Sequence, residues 1–107
     1  MRSLWGFHKT APAALALVAG LLAGGASAEG VDAALIAGTC ANCHGTDGRS
    51  PGAIPSIAGK PFAVLDAQLA AYKAGEAKDA TVMTRLALGF SDEELTALAR
   101  HFSEIQP

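Results

Sequence analysis

Cysteine is scarce in this chain. Cys40 and Cys43 are the only two in 107 residues, too few for a multi-disulfide scaffold or a four-cysteine zinc site. Aromatics make up 6%, with one Trp and one Tyr, which leaves little bulk for an ordinary core. Cations are not in excess either: eight Lys and Arg stand against ten Asp and Glu, a formal net charge of −2. That balance argues against nucleic acid as a partner. The longest apolar run falls short of the roughly 20 residues that span a bilayer, and no segment alternates as a half-buried strand does. The length allows one domain at most.

The chain begins with a different kind of segment. Arg2 and Lys9 precede an apolar run, Ala13 to Ala23, which gives way to Ala26-Ser27-Ala28 before Glu29. A basic start, a short apolar stretch and an A-x-A site are the layout of a secretory signal. Residues 1–28 are therefore expected to be cleaved and 29–107 to form the working domain, exported to the periplasm with no membrane span left. Losing Arg2 and Lys9 leaves that domain with a net charge of −4. It also leaves only Phe62, Tyr72, Phe90 and Phe102 as aromatics. Chains of this size usually need a disulfide, a metal or a cofactor to complete a core.

The remainder reads as helices joined by long loops. Val31, Ala34, Leu35 and Gly38 recur at helical spacing, predicting a first helix from about Asp32 to Asn42 with those residues inward. Gly45 to Gly59, rich in Gly, Ser and Pro, reads as an ordered loop, long enough to be wrapping something. Pro61 is expected to open a second helix as its first residue, with Phe62, Leu65, Leu69 and Tyr72 along one stripe and Gly75 at the end. After an irregular stretch, Glu76 to Thr81, comes "VMTRLALGF". Ser91 and Glu94 then form a capping box, with Phe90 and Leu95 as a hydrophobic staple. Leu95, Leu98, Ala99 and Phe102 give that last helix its buried face. The expected fold is all-α, three to four short helices around a centre that the chain itself does not supply.

The two cysteines lie in "TCANCHGTDG", Thr39 to Gly48. A disulfide between Cys40 and Cys43 would close a loop too small to constrain the unfolded chain much. A thioredoxin-like pair needs a βαβ setting that is absent here. Zinc needs four ligands, and after residue 28 only His44 and His101 could join the cysteines. Covalent haem needs a histidine directly after the second cysteine, and His44 is there. Two sulfurs on one turn of chain can bond the porphyrin's vinyl carbons, and the next residue then brings an imidazole nitrogen beneath the iron. One covalent haem c also accounts for an export signal, a small core and long loops.

A sixth iron ligand must come from elsewhere. Met83 is the single methionine after residue 28. It could be a core filler, but a thioether ligand stabilises reduced iron and raises the potential, and Met83 is the favoured axial partner of His44. His101 is the rival. It falls off the Leu95–Leu98–Phe102 face and is expected to point to solvent.

These elements resemble the small bacterial class I cytochromes c. The resemblance is carried by "CANCHG" (Cys40 to Gly45), "IPSIAGK" (Ile54 to Lys60), the lone Met83 and "SDEELTALARHF" (Ser91 to Phe102). "CANCHGTDGRSPGAIPSIAG" with "TVMTRLALGFSDEEL" is similar, more narrowly, to the cytochrome subunits of flavocytochrome c sulfide dehydrogenases. The resemblance implies a cytochrome c fold, with Cys40 and Cys43 holding haem c and His44 and Met83 axial to its iron. It also makes the Pro55 carbonyl a candidate acceptor for the other His44 ring nitrogen, although Pro55 could equally be a plain turn proline. Where mitochondrial-type relatives have an aromatic four residues before the first cysteine, this chain has Ile36.

The function implied is one-electron transfer with a redox protein partner. That partner is either a sulfide-oxidising flavoprotein, with this chain as its haem subunit, or whatever a free soluble carrier meets. A five-coordinate haem sensor or peroxidase is the alternative of another class, and Met83 argues against it. Lys60, Lys73, Lys78 and Arg85 are expected to border the Met83 side, where a partner would dock around Val82.

Overall fold

The computed structural model describes residues 30–107. The expected signal, 1–28, lies outside the described residues. Among those residues there are four α-helices and no strand: α1 (Ala33–His44), α2 (Phe62–Ala74), α3 (Val82–Ala87) and α4 (Asp92–Glu104), with a 3-10 turn at Thr46–Gly48. The all-α expectation holds. No helix among the described residues is long and apolar enough to cross a membrane.

Each helix starts and stops for a local reason. Asp32 caps α1, its carboxylate accepting from the Leu35 N–H at 3.1 Å, which satisfies one of the donors a helix start leaves unpaired. The helix runs on past Asn42 to His44, so the whole Cys-x-x-Cys-His motif occupies its last turns. Pro61 is the N-cap of α2 and not its first helical residue: its ψ of 136° is extended. Its carbonyl nevertheless receives the first bonds, from Val64 and Leu65 at 3.0 and 3.1 Å. Gly75 ends α2 in the left-handed region at φ 72°, where a side chain would be strained. The capping box at Ser91 and Glu94 is complete in both directions, an arrangement worth about 1 kcal/mol.

Helix α4 packs against both α1 and α2, and α3 lies on α2. The core they enclose is thin. Its buried apolar residues are Ala37, Ala58, Leu65, Ala87, Leu95, Leu98, Ala99 and Phe102; four of the eight are alanines. The inward face of α1 differs from the one expected. Leu35 is 75% exposed, and Ile36, Ala37, Cys40 and His44 turn inward instead. Helix α1 is apolar on nearly every side, so periodicity alone could not choose its buried face. The choice is made by the contents of the last turn.

One close approach fixes how the loop after α1 sits on α4. Gly48, at φ 75°, presses so tightly that a Cβ there would lie 2.8 Å from Ile57 and 2.9 Å from Phe102. Only glycine fits.

Candidate functional site

Four helices around so small a core leave a cavity of about 560 Å³ between them, within the roughly 300–1,000 Å³ of cofactor-sized sites. Every helix supplies wall. Cys40, Cys43 and His44 come from the end of α1, Leu65, Leu69 and Tyr72 from α2, Met83 and Leu86 from α3, and Leu95, Leu98 and Phe102 from α4. Pro55 and Ile57 close one side from the loop. The expected site residues Cys40, Cys43, His44, Pro55 and Met83 thus all lie on one cavity.

The cysteines are placed by helix geometry. Residues three apart fall on one face of an α-helix, so two sulfurs one turn apart look into the same space. Both are free. Burial pushes the Cys40 thiol above its ordinary value, which keeps it protonated at neutral pH and unlike a reactive redox thiolate.

His44 is 9% exposed, the one buried polar side chain among the described residues. Its Nδ1 donates to the Pro55 carbonyl at 2.6 Å. A carbonyl can only accept, so Nδ1 carries a proton, and in the neutral imidazole the lone pair then lies on Nε2. That is the tautomer a metal ligand needs, with the outer nitrogen held by a fixed acceptor. Pro55 is more than a turn residue.

Met83 stands in the first turn of α3, which follows directly on the irregular stretch expected from Glu76 to Thr81. The carbonyl of Ala80 anchors that turn by accepting from the Thr84 hydroxyl at 3.0 Å. His101 is elsewhere. It lines a separate space of about 200 Å³ with Ala34, Gly38 and Asp47, its ring edge-on to Phe102 at 5.2 Å and 82°. It is half-buried there and does not point freely to solvent as expected, because small residues on α1 give it room to pack.

The basic residues divide. Lys73 is held at 2.8 Å by both the Phe90 carbonyl and the Asp92 carboxylate, so it pins α2 to the start of α4. Lys60 lines the cavity, as do Gln68 and Asp79. Lys60 is where it was expected, whereas no sequence signal marks Gln68 and Asp79, since only tertiary packing brings them to the site. Lys78 and Arg85 are exposed and form no ion pair among the described residues.

The cavity fits a flat apolar cofactor held at one edge by two sulfurs: its lining is mostly aliphatic, and it offers an imidazole lone pair and a thioether. The groups of three or more His, Cys, Asp and Glu that would hold a bare metal ion are absent among the described residues.

Known proteins with the same features are found. The Cytochrome c family matches residues 28–105. The cytochrome subunit of sulfide dehydrogenase of Chlorobaculum tepidum is 42% identical over 67 residues, 63% of this chain and 60% of that protein. This chain therefore spans less than two thirds of that relative. Cytochrome c-554(548) of Halomonas halodenitrificans is 39% identical over 69 residues, 62% of this chain and 83% of that protein. The thiosulfate dehydrogenase electron acceptor of Stutzerimonas stutzeri is 36% identical over 69 residues, covering 32% of its length. With the family match running through all four helices and the cavity, the chain belongs to the cytochrome c family, carries covalently bound haem c and serves electron transport.

Proposed function

We propose that Cys40 and Cys43 bond the haem through thioethers, that His44 and Met83 ligate its iron, and that the protein relays single electrons in the periplasm beside a sulfide-oxidising flavoprotein. The observation that carries this reading is the convergence of Cys40, Cys43, His44 and Met83, from two helices, on one apolar cavity. When bound, haem c supplies a reversible one-electron iron couple. The chain's own residues do the rest. His44, its Nδ1 held by the Pro55 carbonyl, would offer the iron an imidazole nitrogen, and Met83 would offer a thioether, which favours the reduced state. The aliphatic walls exclude water, which raises the cost of the oxidised, more highly charged iron. Were His44 and Met83 both to ligate the iron, they would leave it no open position for a substrate, which suits electron relay. Residues 1–28 supply the export that haem attachment to Cys40 and Cys43 accompanies.

The flavoprotein partner is supported by the likeness to the Chlorobaculum tepidum subunit. A free carrier is the second reading, favoured by the fuller coverage of cytochrome c-554(548). The two divide on electron delivery. Exposed Val82 and Leu86 border the cavity on α3, with Lys78 and Arg85 close by in sequence. Rim charges of this kind set association rate and its salt dependence, within a screening length of about 8 Å at physiological salt. The Lys78→Glu, Arg85→Glu double variant should accept electrons several-fold more slowly from a sulfide-reduced flavoprotein at low ionic strength. Its rate should converge on wild type at high salt, with the haem spectrum unchanged, as read by stopped flow. Equal rates at low salt would remove the docking surface. A wild-type protein that such a flavoprotein does not reduce would make it a free carrier.

A further inference from the structure

The Pro55 carbonyl that holds His44 sits in a loop with few supports of its own. The loop leaves the 3-10 turn at Gly48 and returns to it: the N–H groups of Ile57 and Ala58 both donate to the Gly48 carbonyl, at 2.8 and 3.2 Å. Outside this neck, Gly59 N–H donates to the Phe102 carbonyl at 2.9 Å and Arg49 Nε to the Gln106 carbonyl at 2.8 Å. The neck is thus tied to the end of α4. Inside it, one bond crosses the loop, from the Ser50 N–H to the Ser56 hydroxyl at 2.8 Å. The remaining bond, Gly52 N–H to the Ser50 hydroxyl at 3.3 Å, stays within the outgoing limb. Pro55 has no N–H to anchor it, and its carbonyl is committed to His44. Between the neck and Pro55, the tie from the returning limb to the outgoing one is therefore the side chain directly after Pro55.

We propose that Ser56 is a positioning residue for the iron's imidazole ligand: by clasping the Ser50 N–H, its hydroxyl holds the Pro55 carbonyl on His44 Nδ1 and so sets the electron-donor strength of His44. A strong bond from Nδ1–H makes the imidazole more basic toward a metal and stabilises the oxidised iron. Loosening the carbonyl weakens that push and moves the potential upward. Arg49 and Gly59 hold the neck along with Ile57 and Ala58, whereas inside it Ser56 ties the limb that bears Pro55 across to the outgoing limb.

The proposal rests on His44 as an iron ligand, and the test separates the two. In wild-type holoprotein the His44 ring protons should be hyperfine-shifted by the iron in proton NMR; an unshifted ring would overturn the ligand assignment and the clasp's role with it. Given that shift, Ser56→Ala should make the His44 Nδ1 proton exchange with solvent about five-fold faster, the scale of one lost hydrogen bond. It should also raise the reduction potential. Ser56 is exposed, so the variant should fold. Ser56→Thr, which keeps the hydroxyl, should restore both readouts. Ser50→Ala, which keeps the Ser50 N–H and loses only the bond to Gly52, should leave both at wild type. Unchanged exchange and potential in Ser56→Ala would overturn the proposal, as would no rescue by Thr or an equal shift in Ser50→Ala.

Discussion

The reduced Met83→Ala holoprotein should bind carbon monoxide and have a lower reduction potential than wild type, whereas His101→Ala should keep the wild-type spectrum and potential. This result is expected from where the two side chains stand. Met83 lines the cavity that also holds His44, Cys40 and Cys43, and the first turn of α3 carries it there. His101 packs against Phe102 and opens on the other side of α1, beside Asp47. For His101 to reach the cavity, α4 would have to rotate and expose Leu98 and Ala99, which are 1% and 0% exposed. Axial-ligand identity spans roughly 0.8 V of haem potential, so loss of a thioether ligand has a large effect. Potentiometry, the reduced-plus-carbon-monoxide spectrum and the near-infrared band of methionine-ligated oxidised iron read it. Loss of that band in His101→Ala, with Met83→Ala unchanged, would reverse the assignment.

The second large effect is on folding. A Cys40→Ala, Cys43→Ala variant made without haem should show mostly disordered chain by far-ultraviolet circular dichroism and no cooperative melt. Of the eight buried apolar residues four are alanines, and Leu98 is the largest side chain below 2% exposure. For a domain this small, area-based gains roughly balance conformational entropy. Without a cofactor the 560 Å³ cavity leaves the apolar faces of all four helices open to water, so the burial that would hold them together is missing. Collapse could bury those faces only by giving up the helix arrangement. Helix α4 alone, with its complete capping box, should keep residual helicity. A well-formed helical state with a sharp melt would contradict the view that the cofactor completes the core.

Local chemistry was the most legible part of the chain. Capping residues act within one turn, so Ser91, Glu94 and the glycine stop at Gly75 could be read directly, and the structure contains them. The Cys40–His44 motif is equally local, although the helix that carries it runs on past the expected end near Asn42 to His44. Features that depend on distant partners were harder to see. The buried face of α1 is set by what its last turn must reach, and a helix apolar all round gives no stripe to mark it. Lys73 is taken out of the exposed basic set by Phe90 and Asp92, more than fifteen residues away. The Ser50–Ser56 clasp is a product of loop path, and no pattern of residue types announces it. The Pro55 contact, by contrast, could be anticipated only through resemblance to the family. Its 2.6 Å bond to His44 gives that resemblance a physical content.

Mass spectrometry of a tryptic digest shows whether one haem hangs by thioethers from Cys40 and Cys43. Trypsin cuts after Arg49, so both cysteines and His44 fall on one peptide, which begins at Glu29 if residues 1–28 have been removed. The expected product is a Glu29–Arg49 peptide that carries the full mass of haem after acid-acetone extraction and has no thiol open to alkylation. The same peptide without haem, with two alkylated cysteines, would contradict that attachment.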